Sequence, residues 1–218
     1  MKNLAQNYFS TLPPGLRVFL LIFVLGFPAA WLLQYAKLFD VYYWLAVAPA
    51  LVWHGQVWRV ITYAFLPAGI LDWLISLFWL ATLVPVLGRN WSSRRFWGYS
   101  LLGALAGGAF ITLLRPGWEI GVAGEGAIIF ALLVAWDWMY RRERLILLGI
   151  GEISVRQAAI LIAVINSLIL FFCAGWFLML AMWAGGVAGG LWLFVQTKLL
   201  MGKTPQQIRS ERMARLEL

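Results

Sequence analysis

The chain has one cysteine and one histidine, and only 12% of its 218 residues are charged. A lone cysteine, Cys173, excludes a disulfide within one chain and any site built from several cysteine ligands. A lone histidine, His54, leaves a Ser–His or Cys–His pair with a single possible base. No metal site and no cofactor site is expected. Long polar stretches are also missing, so no separate soluble domain is expected. The first residues, Met1 to Pro14, lack an apolar core followed by a small-residue cleavage site, which argues against a cleaved signal peptide.

Apolar residues fill these gaps. They make up 63% of the chain, where a soluble domain has roughly 45–50%. Several apolar runs approach the roughly 20 residues that cross a bilayer as a helix. The reading is an all-α, polytopic membrane protein with six spans near 16–36, 69–88, 96–114, 122–140, 156–174 and 176–197. A cytoplasmic segment 1–15 precedes the transmembrane domain 16–200, and a charged cytoplasmic tail 201–218 follows it. Residues 37–68 are too broken for a further span. Their Trp and Tyr density fits an interfacial loop on the outer side. The net charge of +8 then needs no nucleic acid. With both termini in the cytoplasm, fourteen of the seventeen Lys and Arg face inward, and only Lys37, Arg59 and Arg115 face outward. That bias matches the positive-inside rule. A short chain without large appended domains points to a bacterial inner membrane.

Three acids fall in or beside the spans: Asp72, Glu125 and Asp137. Carboxylates are costly there and mark candidate sites. Asp72 and Ser76 lie one helical turn apart and share a face. Glu125 precedes the fourth span, where its carboxylate could accept hydrogen bonds at the helix N-terminus. Asp137 and Arg141 are spaced for an ion pair. Asp72 and Glu125 admit several readings: a shared-proton dyad, a proton or cation path, a polar recognition pocket, or partners for Arg59 or Arg115. Two glycine groups, Gly103, Gly107 and Gly108, then Gly185, Gly186, Gly189 and Gly190, carry small residues four apart. Such spacing lets membrane helices approach closely, with Gly185 and Gly189 as the packing positions. Of the fourteen tryptophans, Trp73, Trp79 and Trp192 fall deep in spans. They could face lipid, protein or a bulky ligand such as a pigment.

Gly124-Glu125-Gly126-Ala127-Ile128-Ile129-Phe130-Ala131-Leu132-Leu133 resembles the rhomboid stretch Gly-x-Ser-Gly/Ala-Ala-Ile-Phe-Gly-Leu-Leu. Trp58-Arg59-Val60-Ile61-Thr62-Tyr63-Ala64-Phe65 resembles the segment entering the second rhomboid helix. Ser92-Ser93-Arg94-Arg95-Phe96 is similar to the Gly-Ser turn opening the third. Ala181-Met182-Trp183-Ala184-Gly185-Gly186 is similar to the Ala-His-x-x-Gly run of the sixth. The resemblance covers about residues 56–196 and implies a six-helix rhomboid-like bundle.

It also implies where the chemistry would be. Rhomboid proteases use a serine–histidine dyad in a cavity open to the outside. Here the serine position holds Gly126, and the histidine position holds Met182, or Trp183 if the glycines slip by one. The second-helix His-x-x-x-Asn, which stabilises the oxyanion, is matched by Asp72 and Ser76. A carboxylate would repel a developing oxyanion. The resemblance therefore implies an inactive member, a pseudoprotease without catalytic residues. Its candidate pocket comprises Asp72, Ser76, Glu125, Gly126, Met182 and Trp183. Such a protein would bind transmembrane helices of partner membrane proteins as an adaptor or assembly factor. The alternatives are a fixed accessory subunit of a larger membrane complex and, third, an active serine protease with a rearranged site.

Overall fold

The computed structural model describes residues 12–37, 40–147 and 151–200. Most of the segment 1–15, and all of the charged tail 201–218, lie outside them.

Helix α1, Pro14–Tyr35, opens on a proline at its first position, where the missing N–H is not needed. A connecting section then folds into three short helices, α2 (Val41–Leu45), α3 (Pro49–Trp53) and α4 (Arg59–Thr62), the last running into a 3₁₀ turn at Tyr63–Phe65. Long helices follow: α5 (Ile70–Gly88), α6 (Ser93–Leu114), α7 (Gly126–Tyr140), α8 (Val155–Ala174) and α9 (Trp176–Phe194). A π-helical turn, Val195–Leu200, extends α9.

Local chemistry sets the ends. Ser154 caps α8 in a reciprocal box with Gln157: the Gln157 N–H donates to the Ser154 Oγ (3.2 Å), and the Ser154 N–H donates to the Gln157 Oε1 (2.9 Å). Gly175 alone separates α8 from α9, at φ 88°, a conformation that glycine reaches without strain.

Among the described residues, five helices are long and apolar enough to cross a membrane: α1, α5, α6, α8 and α9. Their outward faces are apolar, as at Leu25 and Leu32 on α1, Leu71 and Phe78 on α5, and Leu168 and Phe172 on α8. A soluble protein would not expose such continuous apolar surface. Lipid is the solvent that suits it. The protein is an all-α polytopic membrane protein, with one β hairpin among the described residues. Strands β1 (Arg144–Leu147) and β2 (Gly151–Ser154) pair antiparallel between α7 and α8, with Arg144 opposite Ser154 and Leu147 opposite Gly151. The sequence reading had no strand there.

Helix α7 is the centre of the bundle. Its 15 residues rise about 22 Å, less than the roughly 30 Å hydrocarbon core. It packs on α5, α6, α8 and α9, and Ala127 to Leu133 are all buried, so it meets protein rather than lipid. The span read at 122–140 therefore starts late. Before Gly126 the chain is instead bridged at Val122, which pairs with Val47 of the section between α1 and α5 through N–H···O bonds of 2.8 and 2.9 Å.

Two glycine groups set how close the neighbours come. A Cβ on Gly185 of α9 would overlap the Ala127 carbonyl oxygen of α7, and one on Gly189 would strike the Tyr99 ring. Tyr99 of α6 in turn donates its hydroxyl to the Ala131 carbonyl at 2.8 Å. At the same end of α9, Trp192 packs edge-on against Trp91 and Tyr99, and the Arg95 guanidinium lies over Trp91 and Trp192. Trp73 stacks on Phe27 and donates to the Phe23 carbonyl, and Trp79 packs against the core. These three deep tryptophans are thus held by protein. Asp137 and Arg141 form the expected ion pair at 3.0 Å.

Candidate functional site

The section between α1 and α5 is tied together internally by one buried cation. Arg59, 1% exposed, donates from Nη1 to the Ala46 carbonyl (2.8 Å) and from Nε to the Gln56 Oε1 (2.6 Å). Thr62 adds a bond from its hydroxyl to the Leu45 carbonyl. Held this way, the section presents Val47 to Val122. Gly124 then donates to the Tyr63 carbonyl at 3.2 Å. The chain reaches Glu125 and Gly126 in a fixed pose at the start of α7.

Beside this point lies a cavity of about 130 Å³. Asp72, Ile75 and Ser76 of α5 form one wall, and Asn166, Ile169 and Leu170 of α8 form another. Gly126, Ala127 and Phe130 of α7 and Ala181 and Met182 of α9 close the back. Ile75 and Ile169 line the cavity yet remain 41% and 47% exposed on the lipid-facing surface. The cavity therefore opens sideways, between α5 and α8.

Gly126 and Met182 face each other across α7 and α9. A Cβ placed on Gly126 would stand 3.1 Å from the Met182 Sδ and 3.2 Å from its Cγ. The thioether occupies the space beside a position with no side chain. Trp183 is elsewhere. It is 43% exposed, donates to the Ser167 Oγ at 3.0 Å and rests edge-on against Phe130. One residue along a helix is a turn of about 100°, which carries Trp183 toward α8 and lipid. It does not belong to the pocket.

The acids are close to one another but differ in their partners. Asp72 sits in the first turn of α5, and its Oδ2 accepts the Ala68 N–H at 2.8 Å. Glu125 is 1% exposed, and neither carboxylate oxygen has a hydrogen-bond partner among the described residues. It occupies the N-cap position of α7, but its side chain does not cap. The expectation of a capping carboxylate fails because the backbone there (φ −84°, ψ 4°) lacks the extended conformation that folds a cap side chain back over the helix end. The carboxylate instead lies beside Ser76, with the Asp72 charge nearby. Tyr42, in the outer section, is held above its ordinary pKa by burial and then by the charges of Glu125 and Asp72. Neither of the two arginines expected as partners neutralises the acids. Arg59 is committed to Ala46 and Gln56, and Arg115 lies over Trp118 and Phe177.

Several chemistries can be weighed on this geometry. Ser76 is the one aliphatic hydroxyl on the cavity wall, and His54 is not beside it. His54 is exposed at the end of α3, with its ring Nδ1 against the Ala50 carbonyl. A polar path through the membrane does not continue along α5, because the buried positions beyond Ser76 are Leu80, Leu83, Val84 and Leu87. The volume is well below the roughly 300–1,000 Å³ of small-molecule and cofactor sites, so a pigment does not fit. It suits a single side chain. Asn166 went unnoticed in the sequence, although an amide inside the apolar run Ala163-Val164-Ile165-Asn166-Ser167-Leu168 is itself a signal. Its Nδ2 donates to the Ile162 carbonyl at 2.8 Å, in its own helix.

No curated protein matches the chain. Residues 17–203 match the family described as eukaryotic integral membrane protein (DUF1751). The assignment to a bacterial inner membrane is overturned by this match, since compactness is no guide to the kingdom of origin. Membrane character, read from composition, stands. The chain belongs to the DUF1751 family of eukaryotic integral membrane proteins.

Proposed function

We propose that this protein is a non-proteolytic, six-helix rhomboid-like membrane protein that binds transmembrane helices of partner proteins as an adaptor or assembly factor. The observation that carries the reading is the cavity itself. It lies at the start of a central helix, is bounded by the two positions where the resemblance puts a serine and a histidine, and opens to lipid between α5 and α8. Glycine and methionine at those positions supply neither nucleophile nor base. A sideways opening in an apolar surface admits a helix that is already in the bilayer.

The test is site-specific cross-linking. A photoreactive residue at Ile75 or Ile169, in the native membrane, is expected to capture membrane-spanning partners; the same probe at Leu25 on α1 is expected not to. Several single-span partners in substoichiometric amounts support the adaptor. One partner at a fixed ratio replaces it with the accessory-subunit reading. Equal capture from Leu25 sinks both.

The absence of proteolysis is itself open to trial. The double substitution Gly126→Ser with Met182→His is expected to show no fluorophosphonate labelling and no cleavage of a rhomboid substrate. An oxyanion formed there would face Asp72, an acceptor where donors are needed. Labelling of the wild type that one Ser→Ala change abolishes would restore the protease reading.

A further inference from the structure

Among the described residues, the cavity is lined by a carboxylate and a hydroxyl in an apolar wall and by no cation. Asp72 and Ser76 line it, and the buried Glu125 carboxylate, which has no partner of normal hydrogen-bond geometry among the described residues, lies behind the wall beside Ser76 and within reach of the Asp72 charge. No lysine, arginine or histidine is among the lining residues. Of the phenols nearby, Tyr63 donates to the Ala104 carbonyl and Tyr42 to the Pro67 carbonyl. Asn166 donates within α8. A buried carboxylate left without a donor is costly, so the group that complements this site is a donor, and a charged one is the better match.

Size and access narrow the choice. About 130 Å³ holds a single side chain or about four waters, at roughly 30 Å³ each. The opening at Ile75 and Ile169 is flanked by Leu71, Leu74 and Phe78 on one side and Ile165, Leu168 and Phe172 on the other, all exposed. A donor arriving there comes on an apolar carrier that lies in the membrane. Lysine and arginine are among the costliest residues inside a bilayer, and their long stems let the charged end reach away from an apolar body.

We infer that the cavity receives the Lys or Arg side chain of a partner's transmembrane helix seated between α5 and α8, with Asp72 and Glu125 accepting from it. This rests on the helix-binding reading and adds a criterion for selection: a client is recognised by a basic residue within its span, at the depth of Ser76. A helix whose own partner supplies the counter-ion would have no such charge to offer, so the site favours unassembled subunits.

The experiment uses the full chain in phosphatidylcholine nanodiscs with a designed leucine-rich helix, which carries either one lysine at the matching depth or leucine throughout. Binding is read by energy transfer and by photo-cross-linking from Ile75 and Ile169. The lysine helix is expected to bind about tenfold more tightly, the factor that one charge-assisted hydrogen bond supplies. Glu125→Gln and Asp72→Asn are each expected to reduce that preference to under about threefold. Asp72→Asn retains an acceptor for the Ala68 N–H and gives an independent reading if Glu125→Gln folds poorly. Equal binding of both helices, with cross-links intact, overturns the inference and leaves helix binding standing. Cross-links from neither helix overturn both. Loss of the preference when phosphatidylethanolamine is added shows that a lipid ammonium head group, and not a helix, is the occupant, and overturns it too.

Discussion

Gly185→Ala is expected to lower the melting temperature of the detergent-purified protein by roughly 6–12 °C, the equivalent of about 3 kcal/mol for a chain of this size. One methyl group does this because of what it meets. The added Cβ would overlap the Ala127 carbonyl oxygen and stand 2.9 Å from the Ala127 carbonyl carbon and Cα. These are backbone atoms in the first turn of the central helix, held by its own hydrogen bonds, and cannot rotate aside as a side chain can. The helices must separate, and the packing of Gly189 on Tyr99 is lost with it. Gly190→Ala is the control on the same helix. Its Cβ would meet only the Val134 Cγ1, at 3.5 Å, an ordinary contact. There the better helix propensity of alanine is expected to leave stability unchanged or raise it by a few tenths of a kcal/mol. Equal effects from the two substitutions would show that propensity, and not the close approach of α9 to α7, sets the cost. Membrane helices gain little from the hydrophobic effect against lipid, so this contact is a large share of what holds α9 in place.

That glycine spacing was readable in the sequence because it is a one-dimensional pattern with one physical meaning. The long helices were readable for the same reason: apolar runs of span length, separated as at Gly175, have few alternatives. The hairpin at Arg144–Leu147 and Gly151–Ser154 was not, since its stabilising contacts are the pairing itself and the stretch carries no strict alternation. At the site, helical spacing put Asp72 and Ser76 on one face, while their proximity to Gly126 and Met182 followed from resemblance rather than from any pattern of residues. The unpartnered state of Glu125 could not be read at all. Whether a carboxylate caps its own helix or turns into the bundle depends on the local backbone, and the chain reaches Glu125 just after Val122 pairs with Val47, residues 75 apart in the sequence. The expected pairing of the acids with Arg59 or Arg115 failed on the same ground: a sequence states which charges exist, and the fold decides which carbonyls and rings claim them first.

Arg59 is where that long-range control can be broken. Replacing it by methionine preserves the length of the stem and removes the donors to the Ala46 carbonyl and the Gln56 side chain. One buried and one partly buried acceptor then lose their partner, at about 2–3 kcal/mol. The consequence should be local, because Ala46 precedes Val47, and Val47 holds Val122. Amide hydrogen exchange is expected to accelerate by about 30- to 150-fold at Val47 and Val122. The amides in the middle of α6 and α9 are expected to keep their protection. Arg59→Lys, which can satisfy only one of the two acceptors, should fall between. If exchange at Val122 were unchanged in the methionine variant, Arg59 would be packing the outer section without positioning the site. If it rises as expected, Glu125 and Gly126 lose their fixed approach to α7, and any binding that depends on the cavity must weaken even though no lining residue has been altered. A partner cross-linked from Ile75 or Ile169 in the wild type should then be captured less from the Arg59→Met variant, with the bundle still folded. That result would separate the shape of the cavity from its chemistry: Arg59 sets the former, while Asp72 and Glu125 supply the latter.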